Sequence, residues 1–372
     1  MGKIYTALGL MSGTSMDGVD ASIIQSDGKH KYKSILDDYF EYPKSTFNNL
    51  TILRDKIKCS NDLKKYYKQI KNVEKEITIF HAKAVNETLK KTSLDIDFIG
   101  FHGQTIFHNS KERITKQLGD GKLLSKLSKK KVVYDFRQND IKNGGDGAPL
   151  TPIFHQLISN KYKIKQPNIF VNIGGIANFT YLGLSNISLN KFKNWYAGDL
   201  CLGNCLIDQW IRKKSKKFFD KDGNIAKSGK INNNKLKKAL KNYKPKKERS
   251  LDIKDFDLSF AKGLSLKDGA ATLTEYTAQI LAYHLITKTL NNIKIILCGG
   301  GRKNKFLVKK IKKKIPHPIL LIDNYGIKGD FVESQAFGYL AIRSFLKLPI
   351  SFPLTTGCKK PCSGGILVKN FQ

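Results

Sequence analysis

Short apolar runs interrupted by polar glycine turns occur twice in this chain of 372 residues. The first run, residues 4–10, breaks at 13–15 and resumes at 19–24, which predicts a strand, a tight turn and a second strand. Residues 168–182 repeat this order around Gly174-Gly175. We interpret the repeat as a weak internal duplication, in which two similar halves face each other and hold a nucleotide in the cleft between them.

Apolar residues at steps of three and four predict helices between these runs. The clearest example is the segment from Asp62 to Lys91, which is predicted to be one long amphipathic helix. The strand predicted at 294–297 ends in three glycines and a following helix, a unit that can meet phosphate or ribose. Further helices are predicted at about 122–129, 151–160 and 271–289, further strands at 97–101 and 132–136, and a surface loop with a helix at 222–247.

The charge of the chain does not change the prediction of a nucleotide-binding protein. A formal net charge of +35 and a pI near 9.8 would by themselves favour nucleic-acid binding. The excess is nearly all lysine, however, and the basic stretches at 213–217 and 309–314 lie on helix-like segments without interleaved aromatic residues. We therefore expect no specific nucleic-acid partner. Attraction of anionic small molecules such as ATP is a simpler consequence of the charge.

The chain offers no candidate membrane span or disulfide framework. No run approaches the ~20 apolar residues that a span needs. A signal peptide would have to remove the first glycine turn, and an apolar strand from Ile4 argues against myristoylation. The six cysteines include two C-x3-C pairs but no zinc-knuckle spacing, so buried reduced thiols are expected. These features predict a cytoplasmic protein without a membrane partner.

The first glycine turn carries candidate chemistry. Residues 13–18 combine small side chains, two hydroxyl groups and a carboxylate, and successive backbone N–H groups in such a turn can hold phosphate oxygens. Asp17 or Asp20 could bind Mg²⁺, usually through water. Taken alone the turn could equally be structural, but the later glycine turns favour nucleotide binding. The residues assigned to ATP are Gly13, Thr14, Ser15, Met16, Asp17, Gly18, Val19, Asp20, Gly174, Gly175, Gly299, Gly300, Gly301 and Asn304.

The stretch Met11-Ser12-Gly13-Thr14-Ser15-Met16-Asp17-Gly18-Val19-Asp20 resembles the signature of anhydro-N-acetylmuramic acid kinases. The resemblance extends along nearly the whole chain. Segments in family order include His102-Gly103-Gln104-Thr105, Gln117-Leu118-Gly119-Asp120, Asp135-Phe136-Arg137, Gly147-Ala148-Pro149, Asn172-Ile173-Gly174-Gly175-Ile176-Ala177-Asn178, Cys298-Gly299-Gly300-Gly301 and Glu333-Ser334-Gln335-Ala336-Phe337-Gly338.

This resemblance implies an ATP- and Mg²⁺-dependent sugar kinase. Enzymes of this family open the 1,6-anhydro ether of the sugar by adding water at C1 while they phosphorylate O6, within cell-wall recycling. The implied fold is α/β: a duplicated, two-lobed, actin- and hexokinase-like (ribonuclease H-like) architecture with an interlobe cleft. The implied lobes are residues 1–140, with the first phosphate loop, and 141–372, with the second phosphate turn, the catalytic base and the nucleoside-binding glycines. The last helix has room to pack back on the N-terminal lobe, and the family suggests a homodimer.

The family's catalytic base lies in a segment of the form Asp-Thr-Gly-Pro-Gly-Asn, which matches Asp199-Leu200-Cys201-Leu202-Gly203-Asn204. The resemblance thus implies Asp199 as the base, with support from Glu333. Without the resemblance to this family, an aspartate before a helix would more often be interpreted as an N-cap. The replacement of the family's Thr, Gly and Pro removes a hydroxyl and a permissive glycine, so we expect reduced but real activity. Asp146, where the family usually has Gln, is a smaller departure.

The residues assigned to the sugar are His102, Gln104, Thr105, Asp135 and Arg137. The forked guanidinium of Arg137 suits the lactyl carboxylate of the sugar, or it forms a salt-bridge hub between Asp135 and Asp140. His102 is either a sugar contact or a structural histidine. His81 is expected to be a packing residue, and Ser12 to lack a nearby histidine that would make it a nucleophile.

Three other functions remain open from the sequence alone. The first is a kinase for another amino sugar, without ring hydrolysis. The second is a weakly active or non-catalytic actin-like ATP-binding protein, which the altered segment at 199–203 would suit. The third is a basic nucleic-acid-binding protein.

Overall fold

The computed structural model describes residues 2–183, 195–245, 251, 253–288 and 293–369. The chain forms two compact units: Met1–Ile164 with Phe331–Gln372, and Lys165–Asp330. The division expected from the sequence lay between residues 140 and 141. In the structure the first unit extends to residue 164, and the segment that follows residue 330 belongs to it as well.

A twisted sheet forms the centre of the first unit. Its strands run in the order β12-β6-β4-β1-β2-β3, and β5 pairs with β4. The first three strands are antiparallel neighbours, whereas β4 is parallel to β1 and β6 is parallel to β4. The bounds are β1 (Tyr5–Ser12), β2 (Gly18–Ser26), β3 (Tyr32–Glu41), β4 (Phe98–Asn109), β5 (Ile114–Leu118), β6 (Val132–Tyr134) and β12 (Ile366–Val368).

Helices cover this sheet. The amphipathic segment predicted at 62–91 forms two helices, because the backbone leaves the helical conformation at Tyr66. The helix bounds are α1 (Lys44–Lys56), α2 (Ser60–Lys65), α3 (Tyr67–Leu89), α4 (Gly121–Ser128), α5 (Gln138–Lys142), α6 (Pro152–Lys161), α12 (Val332–Phe345) and α13 (Pro353–Thr356).

Two glycines let α12 approach the sheet closely. A Cβ on Gly9 of β1 would lie 1.8 Å from the carbonyl oxygen of Ser334, and one on Gly100 of β4 would lie 2.2 Å from that of Phe337. Only glycine permits this contact between helix and strand backbones. The result is that Glu333, at the start of α12, is fixed relative to the ends of the central strands.

Helix α6 explains why the first unit continues past residue 140. The ring of Phe154 is fully buried and meets the rings of Tyr32 and Tyr339 at centroid distances of 5.1 and 5.7 Å. Both tyrosines belong to the first unit, so this aromatic cluster holds the helix there. The polar, glycine-rich stretch at 143–149 is therefore an internal loop of the first unit.

The second unit repeats the strand order of the first. Its sheet runs β11-β10-β7-β8-β9, with β7, β8 and β9 antiparallel neighbours and β10 and β11 parallel to β7. When β5, which pairs only with β4, and the edge strand β12 are left out, the remaining strands of the first sheet have the chain order 3-2-1-4-5, as in the second sheet. This shared order confirms the duplicated ribonuclease H-like fold. The bounds are β7 (Asn168–Ile173), β8 (Ile176–Leu182), β9 (Trp195–Leu202), β10 (Lys294–Cys298) and β11 (Ile319–Leu321).

The helices of the second unit pack around α10 (Leu266–Lys288), most of whose residues are buried. Gly269 of this helix touches the ring of Trp210, whose Nε1 donates to the carbonyl of Leu266 at 3.0 Å. None of the helices in the described ranges is long and apolar enough to cross a membrane. The other bounds are α7 (Cys205–Lys214), α8 (Asn224–Lys227), α9 (Asn233–Asn242) and α11 (Lys305–Lys312).

Candidate active site

The first glycine turn joins β1 to β2. Met16 has a left-handed backbone, with φ of 59°, and its side chain is buried while its N–H donates to the carbonyl of Gly13 at 3.2 Å. The Ser15 hydroxyl donates to Oδ1 of Asp17 at 2.6 Å, and both residues are exposed, as is Thr14. A left-handed methionine is uncommon, so burial of its side chain is what holds this turn. Hydroxyl and carboxylate groups are thus presented at an exposed tip.

The remaining residues of the predicted loop, Gly18, Val19 and Asp20, begin β2 and pair with β3. A Cβ on Gly18 would lie 2.4 Å from the carbonyl oxygen of Phe40. The glycine is therefore required by the close approach of β3, which adds a structural reason to the one expected from phosphate binding.

A buried hydrogen-bond network lies beneath this turn. The Ser12 hydroxyl lies 3.0 Å from the Tyr42 hydroxyl and 3.0 Å from Nε2 of His81. Nδ1 of His81 lies 2.7 Å from the carbonyl of Ile77, so Nδ1 carries the proton and Nε2 accepts from Ser12. Burial lowers the pKa of His81 to about 4, which keeps the ring neutral at pH 7. The expectation that Ser12 lacks a nearby histidine is therefore wrong.

This network supports the turn and does not build a nucleophile. Ser12 is buried, and His81 is oriented by a backbone carbonyl where a catalytic triad has a carboxylate. The backbone N–H of Tyr42 also donates to the carbonyl of Asp17 at 2.8 Å. Tyr42 thus contacts the turn region twice, through its hydroxyl at Ser12 and through its backbone N–H at Asp17. Nothing in the sequence indicates this contact except that His81 was expected to pack within a helix.

Strand β4 ends beside the same turn. Nε2 of the fully buried Gln104 donates to the carbonyl of Gly13 at 2.9 Å, while its Oε1 has no partner among the residues that the structure describes. The Thr105 hydroxyl accepts from Nε2 of Gln117 at 3.1 Å. Both residues were predicted to bind the sugar; the structure shows Gln104 supporting the turn, with one acceptor left over.

His102 and Arg137 form the second cluster of the first unit. Nε and Nη2 of Arg137 donate to Nε2 of His102 at 3.2 and 2.9 Å, and Nη1 donates to the carbonyl of Gly147 at 2.9 Å. Nδ1 of His102 lies 2.7 Å from the carbonyl of Gly103. Burial, together with the Arg137 charge, lowers the pKa of His102 well below its usual value. The imidazole is therefore neutral and positions the guanidinium.

Glu333 lies at the start of α12, close enough to Arg137 for their charges to interact. Burial raises the pKa of the Glu333 carboxyl, and the positive charge of Arg137 opposes that rise. His102, Arg137 and Glu333 thus bring one cation and one titratable acid together at the carboxyl ends of the central strands. Phe337, one turn further along α12, packs on the His102 ring at a centroid distance of 4.5 Å.

The two acids that flank Arg137 behave differently. Asp135 has a left-handed backbone, with φ of 58°, and burial raises its pKa against the opposing charges of Lys116 and Lys142. Asp140 is buried and accepts the backbone N–H of Gly147 at 2.7 Å. A non-glycine residue with this φ at a strand end is a frequent mark of a functional site.

The second glycine turn is held by backbone groups. The N–H groups of Gly203, Asn204 and Cys205, where α7 begins, donate to the carbonyls of Gly175, Gly174 and Gly175 at 2.9, 2.8 and 3.1 Å. A Cβ on Gly203 would lie 2.2 Å from the carbonyl oxygen of Gly174. These contacts form a seam between the turn and the helix, and the glycine at 203 makes it possible.

The third glycine group adjoins this seam. Gly299 has φ of 77°, and a Cβ there would lie 2.0 Å from Oδ1 of Asn172. A Cβ on Gly301 would lie 2.7 Å from Nδ2 of Asn204. Asn304 does not point into open space: its side chain accepts the N–H of Leu307 at 2.9 Å and caps α11. Two of the glycine groups assigned to ATP therefore meet in the second unit.

Asp199 lies on β9 at an irregularity of the sheet. Asn178 pairs with Asp199 and Ala177 pairs with Cys201, so Leu200 is the extra residue of a β-bulge. The Asp199 carboxylate is half-buried and accepts the backbone N–H of Leu251 at 2.8 Å. Bulges of this kind often occur next to active sites, where they re-aim a side chain.

The three residues that depart from the family pattern are buried in the core of the second unit. Leu200, Cys201 and Leu202 are at most 4% exposed. Burial raises the pKa of the Cys201 thiol well above its usual value, so this thiol is inert. The departures therefore change the packing behind Asp199.

One titratable residue that the sequence did not single out lies on α7. Burial raises the pKa of Asp208 to about 7, with Asp220 adding to the rise and Arg212 opposing it. The carboxylate of Asp220 is itself buried and accepts the N–H groups of Ile225 and Ala226 at 2.8 and 2.9 Å.

Comparison with known proteins settles the family. Residues 5–370 match the sequence model of anhydro-N-acetylmuramic acid kinase. The anhydro-N-acetylmuramic acid kinase of Pelagibacter ubique (strain HTCC1062) is 52% identical over 382 residues, covering 100% of both chains. That of Brucella canis is 36% identical over 383 residues, covering 99% of this chain and 100% of the relative. The chain belongs to the anhydro-N-acetylmuramic acid kinase family.

Family membership confirms the resemblance found in the sequence, and with it the assignment as a sugar kinase. Among solved structures, component A of (R)-2-hydroxyglutaryl-CoA dehydratase from Acidaminococcus fermentans is similar with a TM-score of 0.45 and 12% identity, covering 92% of this chain and 100% of that chain. The roles of individual residues, such as Asp199 as base and Glu333 as its support, stay predictions.

Proposed function

We propose that this protein hydrolytically opens 1,6-anhydro-N-acetylmuramic acid and phosphorylates its O6 with ATP, giving N-acetylmuramic acid 6-phosphate for peptidoglycan recycling. One observation carries the proposal: residues 5–370 match a single kinase family, and relatives covering the full chain bear its name. The geometry within each unit agrees with the chemistry that this reaction requires.

The reaction needs a base beside the anomeric carbon. Asp199 takes a proton from a water molecule as its oxygen attacks C1, the C1–O6 bond breaks, and O6 accepts the γ-phosphoryl group while ADP leaves. The half-buried carboxylate of Asp199, fixed by a backbone N–H and by a β-bulge, suits a base whose direction must be constant.

The sugar carries a lactyl carboxylate that requires a cation. Arg137 is the candidate, because His102 and the carbonyl of Gly147 fix the plane of its guanidinium. A forked guanidinium suits a carboxylate, because its N–H donors can bind both carboxylate oxygens at once. Glu333, whose pKa burial raises, is assigned to catalysis as the residue that supports Asp199. We assign Gln104, Thr105 and Asp135 to this part of the substrate.

ATP phosphates are assigned to the turns at 13–20, 174–175 and 299–301. Mg²⁺ would be held by Asp17 through water, since its exposed carboxylate is the hard oxygen ligand that Mg²⁺ prefers. The ion would offset phosphate charge during transfer. Asn304, whose side-chain oxygen caps α11, is assigned to ATP together with the last turn.

The test is incubation of the protein with ATP, Mg²⁺ and 1,6-anhydro-N-acetylmuramic acid, followed by mass spectrometry of the sugar. A 6-phosphate product is expected, and in ¹⁸O-labelled water the label should appear at C1. A phosphorylated product without label would indicate a kinase without ring hydrolysis. ATP binding without any product would contradict the proposal and favour a non-catalytic ATP-binding protein.

Two further expectations follow from the family. We propose a homodimer in the cytoplasm, where ATP is available, and light scattering of the purified protein checks the mass. We also propose that the basic surface serves no specific nucleic-acid function. A shift of random DNA at micromolar protein and physiological salt, weakening as the salt concentration rises, would contradict that.

A further inference from the structure

A cluster of metal-ligating side chains lies in the first unit, apart from the residues assigned to substrate. Asp140 of α5 meets Cys358 and Cys362, which follow α13 near the end of the chain. One carboxylate oxygen and the two sulfur atoms lie within 4.8 Å of one another, and all three residues are buried. Oδ1 of Asp140 lies 3.8 Å from Sγ of Cys362.

The neighbours of this cluster are neutral hydrogen-bond donors. The Thr356 hydroxyl donates to Oδ1 of Asp140 at 2.6 Å, and the backbone N–H of Gly147 donates to Oδ2 at 2.7 Å. The Ser351 hydroxyl lies 3.0 Å from Sγ of Cys362. No cationic side chain in the described ranges forms an ion pair with Asp140. Buried carboxylates are normally paired with a cation or bound to a metal ion.

We propose that Asp140, Cys358 and Cys362 bind one Zn²⁺ ion. Bond lengths of about 2.3 Å to sulfur and about 2.0–2.2 Å to oxygen place tetrahedral ligand atoms about 3.5–3.8 Å apart, a spacing that the sulfur–carboxylate distance already has. Two sulfurs and one carboxylate suit Zn²⁺, whereas Mg²⁺ and Ca²⁺ prefer oxygen alone. Binding releases one proton from each thiol, and the two thiolates and the carboxylate then share the ion.

These three side chains leave one tetrahedral position, which a water molecule would fill. The Ser351 hydroxyl is placed to donate to the thiolate of Cys362, the type of outer contact that orients metal ligands. The cluster is made from two distant parts of the chain, so the ion adds a cross-link that the unfolded chain lacks.

The proposed Zn²⁺ site lies where the loop that contains Gly147 meets the C-terminal segment of the chain. The N–H of Asp146 donates to the carbonyl of Thr356 at 2.7 Å, and that of Lys359 donates to the carbonyl of Asn143 at 3.0 Å. The loop that includes Gly147, whose carbonyl fixes Arg137, is thus tied to the C-terminal segment. Zn²⁺ would strengthen this tie and stabilise the fold without taking part in the reaction.

The experiment measures metal in tag-free protein. Elemental analysis should find about one Zn²⁺ per chain, and Co²⁺ added to chelator-treated protein should give the sulfur-to-metal and visible bands of a tetrahedral site. Cys358→Ser and Cys362→Ser should each weaken Zn²⁺ binding at least tenfold. Cys298→Ser is the matched control, because Cys298 is an equally buried thiol of the second unit.

Three results would overturn the proposal. Zn²⁺ content that is unchanged in the Cys358→Ser, Cys362→Ser double variant would mean that the metal binds elsewhere. Protein without tetrahedral Co²⁺ bands, whose two thiols react fully after unfolding, would mean plain buried cysteines. A Cys358–Cys362 disulfide in non-reducing mass spectrometry would mean a redox pair. The Co²⁺ spectrum of the unaltered protein decides the question even if a variant fails to fold.

Discussion

The two units have the same strand order but hold their glycine turns by different means. In the first unit, side chains do so: Ser12, Tyr42 and His81 lie beneath the turn, and Gln104 reaches it from β4. In the second unit, three successive backbone N–H groups at 203–205, where α7 begins, donate to the carbonyls of the turn. A duplicated topology has therefore been given two different supports.

The difference shows where each turn is vulnerable. A side-chain network depends on residue identity at several positions, and losing one partner leaves a buried polar group unsatisfied. Hydrogen bonds between backbone groups do not depend on most side chains. They do require glycine where a Cβ would clash with the facing backbone, as at Gly203. The comparison is tested most sharply by substitutions that remove one support and leave the other in place. Substitutions that remove the chemistry assigned to one unit test it in the same way.

The largest effect is expected for the base. Asp199→Asn removes the proton acceptor but keeps the shape, so turnover should fall by about 10²–10⁴-fold while the Kd for ATP stays unchanged. Rapid-quench kinetics and calorimetry measure the two. Glu333→Gln in the first unit should lower turnover less, and Asp222→Asn, at a surface ion pair of the second unit, should be neutral. Retained turnover in Asp199→Asn would remove Asp199 from its role.

The next effect tests the backbone seam. Gly203→Ala places a Cβ 2.2 Å from the carbonyl oxygen of Gly174, so the turn or α7 must move. We expect a loss of about 1–3 kcal/mol in the free energy of unfolding, together with weaker ATP binding. Gly174→Ala is the matched control, since its Cβ would meet nothing closer than 3.3 Å, and it should lose less than about 1 kcal/mol. Equal losses in both variants would contradict the seam.

The sequence predicted the repeated strand-turn-strand units well, because apolar alternation and glycine turns are local signals. The boundary between the two units was harder to predict from the sequence. Whether the chain after residue 140 belongs to the first or the second unit depends on where Phe154 packs, and its partners Tyr32 and Tyr339 are distant in sequence. The periodicity of apolar residues predicts which face of a helix or strand is buried. It does not predict which residues pack against that face.

The partners of site residues escaped prediction for the same reason. The proximity of acids in sequence suggested Asp135 and Asp140 as possible partners of Arg137. It did not indicate the hydrogen bonds that the guanidinium donates to His102 and to the carbonyl of Gly147. Nor did it indicate that the Asp140 carboxylate accepts the N–H of Gly147. These contacts depend on three-dimensional packing, which the sequence motif does not specify.

A smaller effect tests the side-chain support. Tyr42→Phe removes the hydroxyl beneath the first turn and should lower the free energy of unfolding by about 0.5–1.5 kcal/mol. We also expect a KM for ATP several-fold higher at nearly constant kcat. Tyr32→Phe is the control, because its buried hydroxyl donates to Gln335 at 2.6 Å away from the turn. It should show a similar stability loss without a change in KM, and an equal rise in KM would contradict the network's role.

The smallest effect is a difference in pH dependence between the units. The pKa of His81 is about 4 when folded, below its unfolded value of about 6.5, so its contribution to stability is present above pH 6.5 and lost as the pH falls through 4. The pKa of Asp208 is about 7 when folded, above its unfolded value of about 3.8, so its contribution is present at low pH and lost as the pH rises through 7.

Urea unfolding at pH 5 and pH 8, at constant ionic strength, measures both contributions. The stability advantage of the unaltered protein over His81→Gln should be smaller at pH 5 than at pH 8, whereas its advantage over Asp208→Asn should be larger at pH 5. Neither can change by more than about 1.4 kcal/mol per pH unit, the limit for a single proton. If both advantages changed in the same direction, one of the two residues would not have the burial that the structure gives it, and the contrast between a neutral histidine in the first unit and a protonatable aspartate in the second would fail.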